Sequence, residues 1–173
     1  DERAAAAQSQ IEVQLQRRVD LIGNLVNTVK GYAQHEEAVF TEVAQARSGL
    51  SSAIQSHDPQ TLANADAQMT GALGRMMISV EAYPQLKADK NFTMLQDELT
   101  GTENRIAVSR KDYNDAVNDY NSYIRQFPTV ITARATGAKP RTYFTATNAA
   151  QQGPPTVDFS KPPAAAAGAP KTP

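Results

Sequence analysis

The chain has 173 residues, the size of one domain with a tail. It contains no Cys, which excludes disulfides, thiolate metal sites and Cys nucleophiles. The formal net charge is -1 and the basic residues form no block, so nucleic-acid binding is disfavoured, because phosphate affinity needs clustered Lys and Arg.

The first predicted element is a very long helix over about residues 2–56. Its apolar residues recur at helical spacing with no Pro between them: Ile11, Leu15, Ile22, Leu25, Val26, Val29, Val39, Phe40, Val43, Leu50 and Ile54. A straight helix of this length would extend about 80 Å. That exceeds an ordinary globular helix, and Gly31 marks the place where it can bend.

A stop and a new start follow at His57, Asp58 and Pro59. Asp58 is a suitable N-cap residue, and Pro59 occupies the first helical position. The second predicted helix therefore covers about residues 59–83. The dipeptide Tyr83-Pro84 ends it, because the residue before Pro disfavours helical geometry.

The third predicted helix runs from about Asp89 to Phe127. Its apolar positions alternate in steps of three and four, which is typical of packed helices. Within it, the tripeptide 112–114 (Asp-Tyr-Asn) recurs seven residues later as 119–121. Three long antiparallel helices with short connections predict an all-α, up-and-down bundle, with the third helix parallel to the first.

Residues 128–173 are predicted to form a mostly irregular Pro/Ala-rich tail beside a bundle of residues 1–127. The tail holds eight of the ten Pro residues. It carries 5 Lys and Arg against 1 Asp, whereas residues 1–127 carry 12 against 17 Asp and Glu. We therefore expect the tail to dock on the bundle or a neighbour around residues 139–159, with Tyr143-Phe144 and Val157–Phe159 as anchors. The alternative is a solvated tail.

The sequence lacks the motifs of known catalytic and metal sites. Di-iron bundles need Glu-x-x-His, but Tyr32 and Ile54 stand three residues before the two His residues, His35 and His57. The zincin pattern fails because Val39 occupies the position of its second His. No nucleophile elbow or phosphate-binding Gly loop occurs. We expect no enzyme activity, no cofactor, no metal and no small-molecule substrate.

Polar residues lie near the apolar stripes of the first and third predicted helices. Buried polar groups must be hydrogen-bonded, so facing pairs would set the register of the two helices. For each residue, the alternative is a side chain in water. The candidate structural polar network consists of Asp20, Asn24, Asn27, Glu103, Asn104, Arg110, Asn114 and Asn121.

Two stretches of the chain resemble the LemA family of bacterial proteins. The first is residues 13–36, VQLQRRVDLIGNLVNTVKGYAQHE. The second, residues 83–114, contains the words YPQLKA, LQDEL, GTENRIAVSR and DYN, and KPRTYF follows at 139–144. The match covers about residues 10–147. It departs from the family at Gly23, where the family usually has Pro.

The resemblance implies a long helical bundle that follows a single N-terminal transmembrane helix, with no established catalytic residues. The chain begins at Asp1 and holds no run of about 20 apolar residues, so we expect either a removed leader or a further segment before Asp1. The resemblance implies that this preceding segment is the membrane anchor. We expect a single-pass protein of a bacterial membrane with its helical domain on the periplasmic or extracytoplasmic side.

Two functions stay open at this point. The first is a non-enzymatic, membrane-tethered scaffold or adaptor of the cell envelope, whose helices present a groove to protein partners. The second is a homo-oligomeric structural assembly at the membrane, such as a ring, cage or filament. There the overlong first helix and the tail would contact neighbouring copies.

Overall fold

The computed structural model describes residues 1–145, and these form an all-helical domain without strands. The predicted all-α class is therefore confirmed. The helices of this part are α1 (Glu2–Lys30), α2 (Glu37–Ser56), α3 (Pro59–Val80), the single turn α4 (Pro84–Lys87), α5 (Lys90–Tyr123) and α6 (Thr129–Thr136).

The predicted first helix is two helices, so residues 1–123 contain four long helices instead of three. Residues 31–36 separate α1 from α2 and reverse the chain direction. Two hydrogen bonds between these helices establish the reversal. Arg47 Nε donates to Val19 O at 3.0 Å, and Gln8 Nε2 donates to His57 O at 2.6 Å. Residues later in α2 thus lie beside residues earlier in α1.

The bend predicted near Gly31 is therefore a complete turn, and apolar burial explains it. In one straight helix of about 80 Å, the second half would project beyond its partners and leave its apolar stripe in water. In the folded-back arrangement Phe40, Val43 and Leu50 are buried. The prediction of one very long first helix that projects beyond its partners is therefore wrong.

The parallel arrangement predicted for the first and third helices is also wrong, because α5 runs antiparallel to α1. Near one end of the bundle, Tyr32 Oη donates to Asp89 Oδ2 at 2.7 Å. Near the other end, Arg3 lies 3.8 Å from Asp119. With four long helices in residues 1–123, the directions alternate up, down, up and down. α5 packs chiefly on α1, and α2 packs chiefly on α3.

The predicted helix starts are confirmed at two capping residues. Asp58 precedes α3 and accepts a hydrogen bond from Thr61 N at 2.7 Å, with Pro59 in the first turn. Asp89 precedes α5 and accepts from Phe92 N at 3.2 Å. Each carboxylate satisfies backbone N–H groups that the first turn of a helix leaves unpaired.

Gly23 allows close contact between α1 and α2. A Cβ atom at this position would lie 2.9 Å from Cζ of Arg47, which is closer than side chains normally approach. The missing side chain lets the guanidinium rest on α1, where it reaches the Val19 carbonyl one turn before Gly23. The residue at which the sequence departs from the family pattern thus has a packing role.

The region after α5 differs from its prediction in two respects. α5 ends at Tyr123, a few residues before the predicted end, and α6 lies in a region predicted to be mostly irregular. That prediction rested on Pro content, yet no Pro occurs between residues 128 and 140. The predicted anchor Val157–Phe159 lies outside the described residues. The division into residues 1–127 and 128–173 stays a prediction.

Within residues 1–145, no helix is both long enough and apolar enough to cross a membrane.

Candidate functional site

The seven-residue repeat of α5 places Asn114 and Asn121 two turns apart on one face of the helix. Seven helical residues rise about 10.5 Å, and three residues of extended chain span about 10 Å. Two Asn side chains at this spacing therefore match two backbone positions, three residues apart, of an extended segment. The segment Arg141–Thr145 lies against this face of α5.

Each Asn amide makes a pair of hydrogen bonds with one backbone position. Asn121 Oδ1 accepts from Arg141 N at 2.8 Å, and Asn121 Nδ2 donates to Arg141 O at 3.0 Å. Asn114 Oδ1 accepts from Phe144 N at 2.8 Å, and Asn114 Nδ2 donates to Phe144 O at 3.0 Å. Each Asn amide thus satisfies both the N–H and the C=O of one residue of the segment.

A third backbone contact lies between the two Asn residues. Tyr113 Oη donates to Thr142 O at 2.8 Å. Burial raises the pKa of the Tyr113 phenol, so its hydroxyl stays a donor. The side chains that bind this backbone form the tail clamp: Tyr113, Asn114 and Asn121.

Phe144 is the apolar anchor of the bound segment. Its side chain is buried against the core. The guanidinium carbon of Arg110 lies 4.6 Å from the centre of the Phe144 ring, which is a cation–π contact. The tail clamp therefore binds the backbone, while the space beneath Arg110 accommodates an aromatic side chain.

Arg110 also connects this segment to a buried carboxylate of α3. The Asp66 side chain is 5% exposed, and Arg18 Nη1 of α1 lies 2.6 Å from its Oδ1. Arg110 Nη2 binds the other carboxylate oxygen. Arg18 Nη2 donates to Thr70 Oγ1 at 3.0 Å. These four residues form the Asp66 cluster, which joins α1, α3 and α5.

Three of the eight predicted network residues take part in these contacts: Arg110, Asn114 and Asn121. Their partners differ from the prediction. They bind Asp66 and the backbone of the C-terminal segment instead of polar residues facing them from α1. A helical repeat identifies the face on which a polar side chain lies, but it does not identify the element packed on that face.

The remaining five predicted network residues are exposed, so their placement in a buried network is wrong: Asp20, Asn24, Asn27, Glu103 and Asn104. The first three line an open groove of about 370 Å³ between α1 and α2. The other two face away from the core on α5. The physical reason is that exposed polar groups keep their hydration and need no partner within the protein.

Asp66 and Arg18 complete the site but were not among the eight candidates. Asp66 falls on the apolar face of α3, four residues after Leu62 and three before Met69. Arg18 lies three residues after Leu15 on the apolar face of α1. A charged residue within an apolar stripe was the available signal, because such a charge needs a partner when it is buried.

The chemistry available at this site is recognition of an extended polypeptide. Within residues 1–145, no group of three or more His, Asp or Glu side chains is arranged to hold a metal ion. The buried carboxylate of Asp66 is instead bound by two Arg side chains.

Comparisons with known proteins give one family match and several similar proteins. The model of the LemA family matches residues 7–159. Magnetosome protein MamQ 2 of Paramagnetospirillum magneticum is 33% identical, over 83% of this chain and 61% of the relative. Magnetosome protein MamQ of Magnetospirillum gryphiswaldense is 31% identical over the same shares. Protein LemA of Metamycoplasma hominis is 27% identical, over 74% and 58%. The matched region spans less than two thirds of each relative's length.

Proposed function

Because this chain belongs to the LemA family, we propose that it is a non-enzymatic, membrane-associated adaptor of the bacterial cell envelope that binds extended protein segments. The tail clamp is the observation that carries this proposal: α5 holds a polypeptide through paired Asn–backbone hydrogen bonds. Membership of the LemA family and the similarity to proteins named magnetosome proteins support the membrane-associated, non-enzymatic part of this proposal.

The tail clamp suits a partner whose sequence is only partly specified. Asn114 and Asn121 bind backbone N–H and C=O groups, which every residue except Pro carries, so many sequences can occupy these positions. The space filled by Phe144, beneath the guanidinium of Arg110, favours an aromatic side chain. A partner segment would therefore be extended and aromatic at one position, and it would replace residues 141–145 of the chain itself.

We also propose a single membrane-anchoring segment before Asp1, with the helical domain on the extracytoplasmic side. The family resemblance supports this arrangement. Cys labelling can test the sidedness, because the 173 residues contain no Cys. In intact cells, a membrane-impermeant thiol reagent should label an exposed Ser52→Cys variant. Labelling only after lysis would contradict the proposed side.

A peptide-binding assay tests the adaptor function. A labelled peptide of residues 139–147 is titrated into the 173-residue chain, whose own segment occupies the tail clamp. The Phe144→Ala variant should bind the peptide more tightly than the unmodified chain, because its internal competitor is weakened. The double variant Asn114→Ala, Asn121→Ala should lose binding. Asn104→Ala is the matched control, since Asn104 is an exposed Asn of the same helix.

Two results would contradict the adaptor proposal. One is failure of the Phe144→Ala variant to bind the peptide at all. The other is equal loss of binding in the Asn104→Ala control and in the double variant, since that loss would be unrelated to the tail clamp.

The second candidate function is a homo-oligomeric assembly at the membrane, in which residues 141–145 occupy the tail clamp of a neighbouring copy. The helix α6, which connects α5 to this segment, favours this second candidate. Because α6 contributes no buried residue, it does not fix the segment to the bundle of the same copy. Exchange of such a segment is a common route to closed dimers or open chains. Light scattering of the full-length protein should then give a concentration-dependent mass that the Asn114→Ala, Asn121→Ala variant lacks.

A further inference from the structure

Large apolar side chains are exposed where α5 ends and α6 begins. Tyr123 is 61% exposed, Phe127 is 82% exposed and Ile131 is 60% exposed. A hydrogen bond of 2.6 Å from Thr129 Oγ1 to Tyr123 O holds this turn together. We call residues 123–139 the α5–α6 corner. Several large apolar side chains in one short exposed segment indicate a contact surface.

The α5–α6 corner is also basic. Residues 120–145 contain four Lys and Arg and no Asp or Glu. One of the four, Arg141, pairs with Asp1. The other three are exposed and make no ion pair with any residue in the described range 1–145: Arg125, Arg134 and Lys139.

Nearby carboxylates only partly offset this positive charge. Asp119 lies 3.8 Å from Arg3, and Asp1 binds Arg141. Both carboxylates are therefore already paired with cations outside the α5–α6 corner. Glu2, in the first turn of α1, is a further acidic residue close to this end. The three cations of the corner still outnumber it.

From these features we infer that the α5–α6 corner is a membrane-surface contact. Phe127 and Ile131 enter the interfacial layer, while the three cations bind anionic lipid headgroups. Aromatic and aliphatic side chains beside Lys and Arg form the composition that binds such interfaces. An acidic protein would match the charge as well, but large exposed apolar side chains interspersed with exposed cations in one short segment fit the interfacial layer of a membrane better.

The position of the corner agrees with this inference. The ion pairs of Arg3 with Asp119 and of Arg141 with Asp1 place the start of α1 beside the end of α5. Under the anchor proposed above, the α5–α6 corner would therefore face the bilayer. The contact itself does not depend on that anchor, so the chain of 173 residues is sufficient to test it.

Vesicle co-sedimentation tests the contact. The 173-residue chain is mixed with vesicles of phosphatidylcholine alone, or of phosphatidylcholine with about one third phosphatidylserine. We expect binding to the anionic vesicles and little binding to the neutral ones. Arg125→Ser and Arg134→Ser should each weaken binding about fivefold, since each cation near an anionic surface contributes roughly that factor. The double variant Phe127→Ser, Ile131→Ser should weaken it at least as much.

Two matched control variants lie at the other end of the bundle. Ile78, near the end of α3, is 74% exposed, so Ile78→Ser removes an equally exposed apolar group. Lys90→Ser removes an exposed cation at the start of α5. Both should bind anionic vesicles as the unmodified chain does. The exposed positions of all these residues leave the fold intact, which circular dichroism checks.

Three outcomes would overturn the inference. The first is that the chain does not bind anionic vesicles. The second is that the control variants lose as much vesicle binding as the corner variants. The third is that a protein which crosslinks to the unmodified chain no longer crosslinks to the corner variants, while their vesicle binding is unchanged. The last result would assign the corner to a protein partner. In every case the corner variants should still bind the 139–147 peptide, so failure of this contact is distinguishable from failure of the adaptor function.

Discussion

The α2–α3 pair and the C-terminal half of α5 bind their neighbours by different chemistry. Between α2 and α3 the buried residues are almost all apolar, as Leu50 and Met69 illustrate. The later turns of α5 instead use Arg110, Asn114 and Asn121 to bind a carboxylate and a polypeptide backbone. Apolar packing stabilises the bundle without fixing the register of its helices, whereas directional polar contacts fix the register of the element that they bind.

The largest effect is expected at the Asp66 cluster, where polar contacts are buried. Asp66→Ala would leave the buried guanidinium of Arg18 without its carboxylate. The free energy of unfolding, measured by urea denaturation, should fall by about 3–5 kcal/mol. Glu98→Ala, which removes the exposed partner of Arg17, should cost less than about 1 kcal/mol. Equal losses in the two variants would mean that Asp66 contributes no more than a surface ion pair.

A slightly smaller loss of folding free energy is expected for a substitution in the apolar α2–α3 pair. Leu50→Ala creates a cavity in the core and should lower the free energy of unfolding by about 3 kcal/mol. Its peptide binding should match that of the unmodified chain, because the cavity lies on α2, away from the tail clamp. If Leu50→Ala released residues 141–145 as clamp variants do, the two regions would not be energetically separate.

A single clamp residue should affect the bound segment more than the whole fold. Asn121→Ala removes both hydrogen bonds to Arg141 and should cost about 1–2 kcal/mol. Hydrogen exchange at the amide of Arg141 should become faster, while the amides of α2 and α3 keep their protection. Asn104→Ala should change neither quantity. Unchanged exchange at Arg141 in the Asn121→Ala variant would argue against the clamp.

The smallest effect concerns the N-cap of α3 and depends on pH. Hydrogen bonds from Thr61 lower the pKa of the Asp58 carboxyl in the folded protein. The cap therefore stabilises the fold fully above the unfolded-state pKa, and this contribution is lost as the pH falls through the folded-state pKa. At neutral pH, Asp58→Ala should cost about 1 kcal/mol.

Urea denaturation at neutral and strongly acidic pH measures this difference. The stabilities of the unmodified chain and the Asp58→Ala variant should approach each other in acid. Asp58→Asn is the control, because an Asn cap carries no titrating carboxyl and should show a smaller dependence on pH. If the stability difference between the unmodified chain and the Asp58→Ala variant stayed constant with pH, an ionised cap would be excluded.

Local signals in the sequence determined the all-helical class, the starts of α3 and α5, and the position of the chain break near Gly31. Each depends on residues close in sequence, as with Asp58 and Pro59, and local backbone chemistry is sufficient to predict it. The same holds for Asn114 and Asn121, because a spacing of seven places both on one helical face.

Only the tertiary structure decided what covers each face. Residues 31–36 reverse the chain, Asp66 meets Arg18 and Arg110, and the segment Arg141–Thr145 occupies the tail clamp. Helical periodicity states which side of a helix avoids water, but several arrangements of helices can cover that side. The choice among them depends on the total apolar area buried and on pairing of every buried charge, and both are properties of the assembled bundle.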